Sequence, residues 1–137
     1  MSTAGSKKFF DGTPADPYGA TPGAAFGVST YYIPIPFAAM PVKSLMLVGD
    51  GTAVASAIVQ HTDMDVDLDG TLINPRVVGN GRCWKDDAAI GTLSIAASTG
   101  ATGSARVTFS NASARQSRIV LTVTVGGRIL GFASALS

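Results

Sequence analysis

The chain has 137 residues, a formal charge of +1 and only 14% charged residues, so length alone predicts one domain, which buries roughly two thirds of its extended-chain surface. All nine acidic residues are aspartates and glutamate is absent, which removes the residues that usually build exposed helix faces and points to an all-β fold. Weak charge offers little self-repulsion and suits a protein packed against copies or partners, and no run approaches the ~18 apolar residues of a membrane span.

Residues 1–27 read as an extended arm and 28–137 as the body. Gly5, Gly12, Gly19, Gly23 and Gly27 alternate with Pro14, Pro17 and Pro22, a composition that blocks both helix and central strand. Phe9, Phe10, Tyr18 and Phe26 are aromatic anchors that a plain linker lacks. With Tyr31 and Tyr32 they form the predicted partner-binding set. The competing reading folds the arm back over its own domain. Met1 to Phe10 shows no apolar core of a signal peptide.

Tyr31-Tyr32-Ile33-Pro34-Ile35-Pro36 is extended, and its prolines confine it to a sheet edge or a polyproline conformation. Lys43–Val48 and Ala53–Gln60 read as a hairpin around Asp50-Gly51, and Thr62–Leu68 and Thr71–Val78 as another around Asp69-Gly70. Gly79-Asn80-Gly81 is a turn, and Asp86 to Ala89 has room for one helical turn. Leu93–Ala97 and Ala105–Ser110 are further strands. The last element, Arg118 to Leu136, reads as a hairpin about Gly126-Gly127. That register sets Val123 opposite Leu130, Leu121 opposite Phe132 and Ile119 opposite Ser134. These bulky residues would then form one wall of the core, with small residues on the reverse face. The sum is an antiparallel β-sandwich or jelly roll of eight or nine short strands.

From Asp65 the chain reads Asp-x-Asp-x-Asp-Gly, the opening of a calcium loop. The pattern stops there, because Pro75 and Arg76 stand at the loop's last two positions, where a bidentate Glu is needed at the end. Period-two alternation instead turns Met64, Val66 and Leu68 to the core and pairs Asp63 with Arg76. His61 and Cys83 are the only residues of their kinds. That is too few for a zinc site, and no motif marks them as a catalytic pair. No cofactor is expected and no catalytic residue is assigned. One cysteine excludes an internal disulfide and fits synthesis in a reducing cytoplasm; the Asn111-Ala112-Ser113 sequon is then coincidental. Five acids and no Lys or Arg lie from Asp50 to Asp69, whereas Arg106, Arg115, Arg118 and Arg128 follow Asp87 without an acid. Near-neutral total charge argues against nucleic acid. A solvated surface, or contact with the acidic stretch of a neighbouring copy, accounts for these arginines.

A compact, helix-poor sandwich with an aromatic-spotted Gly/Pro arm resembles small structural proteins of tailed-phage virions, head decoration (cement) proteins most of all. The resemblance implies a non-enzymatic homo-oligomer, made in the host cytoplasm and carried in the virion. Its partners would be the major capsid protein or other virion subunits, and its arm would add a strand to a partner sheet. Two alternatives stand beside it: a coat or tail-tube subunit, and a sugar- or receptor-binding module of a fibre or tail that stacks its ligand on Tyr31, Tyr32 and Trp84.

Overall fold

The computed structural model describes residues 3–12, 23–36, 42–97, 103–110 and 115–136. Nine strands carry most of them: β1 (Thr3–Asp11), β2 (Ser29–Pro34), β3 (Val42–Asp50), β4 (Val54–Thr62), β5 (Lys85–Asp86), β6 (Thr92–Ala96), β7 (Ser104–Ser110), β8 (Gln116–Val125) and β9 (Arg128–Leu136). They form two antiparallel sheets, ordered β1-β9-β3-β7 and β2-β8-β4-β5, with β6 also paired to β4. The expected sandwich is therefore the fold. As expected, β2 lies at a sheet edge, where Pro34 leaves no ladder bond missing inside the sheet. The turn expected near Asp86 is present, closed by Gly91 N–H donating to the Asp87 carbonyl at 3.1 Å.

Two expected hairpins are corrected. β3 and β4 flank Asp50-Gly51, and β8 and β9 flank Gly126-Gly127, yet each pair is divided between the two sheets. A glycine turn reverses the chain equally well within one sheet or across the core; the apolar faces decide which. Crossing the core lets Leu45 and Leu47 of β3 join one cluster with Ala55, Ala57 and Val59 of β4. At the second crossing a Cβ on Gly127 would lie 2.7 Å from the Ala53 nitrogen, so the connection needs glycine there.

The crossing also reverses the expected facing of β9. Ile119, Leu121 and Val123 are buried as expected, but from β9 it is Ile129 and Ala133 that are buried with them. Leu130 and Phe132 are half-buried and point outward. The inward face of β9 is small because another element fills it: a Cβ on Gly131 would overlap the ring of Phe10.

That ring comes from the segment read as an extended arm held by a partner; over Thr3–Asp11 it is instead a strand of the sandwich, as in the competing reading that folds the arm back over its own domain. β1 pairs antiparallel with β9, from Thr3 opposite Leu136 to Asp11 opposite Leu130, with an irregularity between Lys8 and Phe10. Such a bulge places two consecutive residues on one side of the strand, and Phe9 and Phe10 are both fully buried. The prolines that argued against a strand begin at Pro14; Thr3–Asp11 has none.

The hairpin expected at 62–78 is short and one residue out of register. Val66 bridges Leu72, Asp67 N–H donates to the Thr71 carbonyl and Ile73 N–H to the Asp65 carbonyl. Asp63 therefore does not face Arg76, and Val66 and Leu68 are exposed rather than turned to the core. The reason is topological. β4 ends at Thr62, and beyond it the chain leaves the sandwich on an excursion with no second layer over it.

Candidate functional site

Of the expected partner-binding residues, Phe9, Phe10 and Phe26 instead build the interior. Phe9 meets Phe10 edge-to-face at 5.0 Å, Phe10 meets Phe26 at 6.0 Å, and Phe26 meets Tyr31 at 4.7 Å. Burying rings in this geometry adds to their large apolar burial, and none of the three phenylalanines is accessible to a partner. Tyr18 lies outside the described residues. Tyr31 and Tyr32 alternate to opposite faces of β2. Tyr31 packs on the core, Tyr32 lies under a guanidinium, and Trp84 is buried. The three rings thus share no exposed stacking platform.

The guanidinium belongs to Arg118, which is 2% exposed and faces away from the core on β8, since Ile119 and Leu121 face inward. It stacks 4.0 Å from the Trp84 ring and 4.7 Å from the Tyr32 ring. Its Nε donates to Gln60 at 2.9 Å, and its terminal nitrogens donate to the carbonyls of Pro75 at 3.4 Å, Val77 at 2.6 Å and Val78 at 3.2 Å. A planar five-donor fork serves several acceptors at once, which a lysine ammonium does not. Burial pulls the Arg118 pKa below its usual value. Arg118 therefore clamps the excursion to the outer face of the β2-β8-β4 sheet.

The other basic residues were candidates for contact with a neighbour's acidic stretch. Arg115 instead grips Asp65 within the chain, at 3.0 and 3.1 Å. Arg128 grips Asp11 through two bonds of 2.9 Å. That hydrogen bond holds the Asp11 carboxyl below its ordinary range against the opposing effect of burial, with help from Lys8. Arg106 is exposed and has no ion-pair partner among the described residues.

A further cluster escaped the sequence reading. His61 on β4 sits opposite Ser117 on β8. Its Nδ1 lies 2.7 Å from Ser117 Oγ and its Nε2 lies 2.9 Å from Asp87 Oδ2. Burial opposes the Asp87 charge, but bonds from His61 and from the Ile90 and Ala89 N–H groups hold its carboxyl below its usual range. Only the strand pairing brings these residues together, so no local motif could reveal them. Serine, histidine and aspartate are the residue types of an acyl-transfer triad. Here Ser117 is 3% exposed and its carbonyl accepts the Ile35 N–H. The chain of bonds ties β8, β4 and the Asp87 turn together. Cys83, the other candidate, takes a different partner, Asp67 Oδ1 at 3.6 Å. Burial and the Asp67 charge raise its thiol pKa, which keeps the reactive thiolate scarce.

Two surfaces stand out among the described residues. The first is the crest of the excursion: Val66, Leu68, Leu72, Val77 and Val78 are 45–76% exposed. Among the described residues eight large apolar side chains are exposed, and five of them are these, which makes the crest a patch rather than scatter. The stretch from Asp63 to Leu72 adds four aspartates and no base. The second is a groove of about 390 Å³ on the outer face of the β1-β9-β3-β7 sheet. Met46, Val48 and Phe132 form its apolar floor, and Ser44, Ser134 and Arg106 flank it.

No protein-family model matches the chain, and neither a curated protein nor a solved structure matches it.

Proposed function

We propose that this protein is a non-enzymatic virion structural subunit of the capsid-decoration kind, which works by burying exposed apolar surface against neighbouring subunits. One observation carries the reading: the exposed large apolar residues are concentrated on one excursion, and that excursion is clamped by a buried arginine rather than left loose. A preformed apolar surface loses little conformational entropy on docking. Elsewhere the residue types that could do chemistry, His61, Ser117, Asp87 and Cys83, are engaged with one another or with Asp67. The internal position of Phe9, Phe10 and Phe26 moves the proposed contact from the N-terminal segment to the body.

The test is cosedimentation with virion shells that lack this protein, prepared from the host of its gene. Wild-type protein is expected to pellet with the shells, and a Leu68→Asp/Leu72→Asp variant to remain in the supernatant. Wild-type protein that stays soluble beside such shells, or a variant that pellets equally, overturns the reading.

A further inference from the structure

We infer that the crest of one copy seats in the Met46–Phe132 groove of another, giving a head-to-tail contact between identical chains. The inference rests on the assembly reading above and names the neighbour. Three observations carry it.

The two surfaces match in chemistry. The crest presents Leu68 and Leu72, 62% and 76% exposed, on a hairpin stretch with four aspartates between Asp63 and Leu72, of which Asp65 is paired with Arg115. The groove has a floor of Met46, Val48 and Phe132 and is flanked by Arg106, which has no ion-pair partner among the described residues. Aspartates beside one apolar patch and the single charge of Arg106 beside the other favour this pairing over crest on crest, where like charges would meet.

The two surfaces also cannot satisfy each other within one chain. Arg118 fastens residues 75–78 to the outer face of the β2-β8-β4 sheet. Met46 and Phe132 are cross-strand neighbours on the outer face of the other sheet, beyond the core. The crest and this groove thus lie on opposite sides of the sandwich. Finally, the groove floor lies outside the core. The opposite face of the same two strands supplies the core through Leu45, Leu47, Ile129 and Ala133, while Met46 remains 39% exposed. A contact between two different patches is heterologous and propagates into rings or chains instead of stopping at a dimer.

The test uses the whole protein in sedimentation velocity over a range of concentrations. Wild type is expected to associate beyond two copies, more weakly at high salt. The crest variant Leu68→Asp/Leu72→Asp and the groove variant Met46→Asp should each weaken association by about tenfold or more, with thermal melts confirming that they are folded. Arg106→Asp, on edge strand β7, tests the groove without touching its floor and should weaken association too. An equimolar mixture of crest and groove variants is the decisive case, because one intact crest and one intact groove remain. It should form pairs and nothing larger. A monomeric wild type, a mixture that stays monomeric, or a folded Arg106→Asp with wild-type association would overturn the inference. If association fails but shells still bind the protein, the assembly reading stands and only the neighbour is wrong; if shell binding fails, that reading falls by itself.

Discussion

Truncating Arg118 to alanine removes one side chain that holds four stretches of the chain: β4 through Gln60, the 75–78 stretch through its carbonyls, β2 through the Tyr32 ring, and the ring of Trp84. Hydrogen bonds from a charged donor are worth about 1.5–3 kcal/mol each, and a desolvated cation–π contact about 2 kcal/mol. Against these stands a desolvation cost of several kcal/mol for a buried cation. The released carbonyls of Pro75, Val77 and Val78 lie on an exposed excursion, so they can regain water by lifting away. The expected net loss is therefore about 3 kcal/mol, taken locally rather than as global unfolding. Trp84 is the only tryptophan and is 4% exposed, which makes its fluorescence a direct reporter. Arg118→Ala should shift Trp84 emission to the red, open it to acrylamide quenching and speed amide exchange at residues 75–84, while the far-ultraviolet spectrum of the strands persists. Arg118→Lys keeps the charge but not the fork and should show most of the same change. Wild-type emission and exchange in the alanine variant would refute the clamp.

Gly131→Ala should cost about 1–3 kcal/mol by forcing a methyl into the Phe10 ring, read as a lower urea midpoint; an unchanged midpoint would place Phe10 elsewhere. Leu121→Ala, in the core, should lose about 2–5 kcal/mol, whereas Phe132→Ala on the outer face should lose clearly less; equal losses in chemical denaturation would contradict the observed facing of β9. The Asp11 carboxyl is depressed in the folded protein, so its stabilisation is complete above the unfolded value of about 3.9 and is lost as pH falls through the folded one. Asp11→Asn should lower the urea midpoint at pH 7 and flatten its fall below pH ~4; a variant whose midpoint falls with acid as steeply as wild type would remove Asp11 from that role.

The fold class was legible because alternation is a local property. Ile119, Leu121 and Val123 at every second position required a buried face, and they have one. What the sequence could not reveal was the partner of each strand. Asp50-Gly51 and Gly126-Gly127 permit a reversal without saying whether it stays in the sheet. Phe9-Phe10 looked like a pair of anchors for a partner because nothing local shows that Gly131 leaves room for a ring. The crest was misread for the opposite reason. Val66 and Leu68 alternate like a core strand, yet they lie past the end of β4, where no second sheet remains to cover them. The Ser117–His61–Asp87 cluster joins residues 56 and 26 positions apart, and only the pairing of β4 with β8 and with β5 makes them neighbours.

The position of β9 constrains when the protein can fold. It lies between β1 and β3, so the first and third strands made have no common neighbour until the last of the nine is made. The β2-β8-β4 sheet can pair once β8 is complete. Until β9 arrives, however, Phe9 and Phe10 have no ladder to hold them beside Leu45 and Leu47. Such non-local closure places folding on the order of milliseconds to seconds, and for that interval the nascent chain carries two adjacent phenylalanines on an unpaired strand. A chain cut before Arg128 would remain in that state, with Phe9 and Phe10 available to any sheet edge they meet.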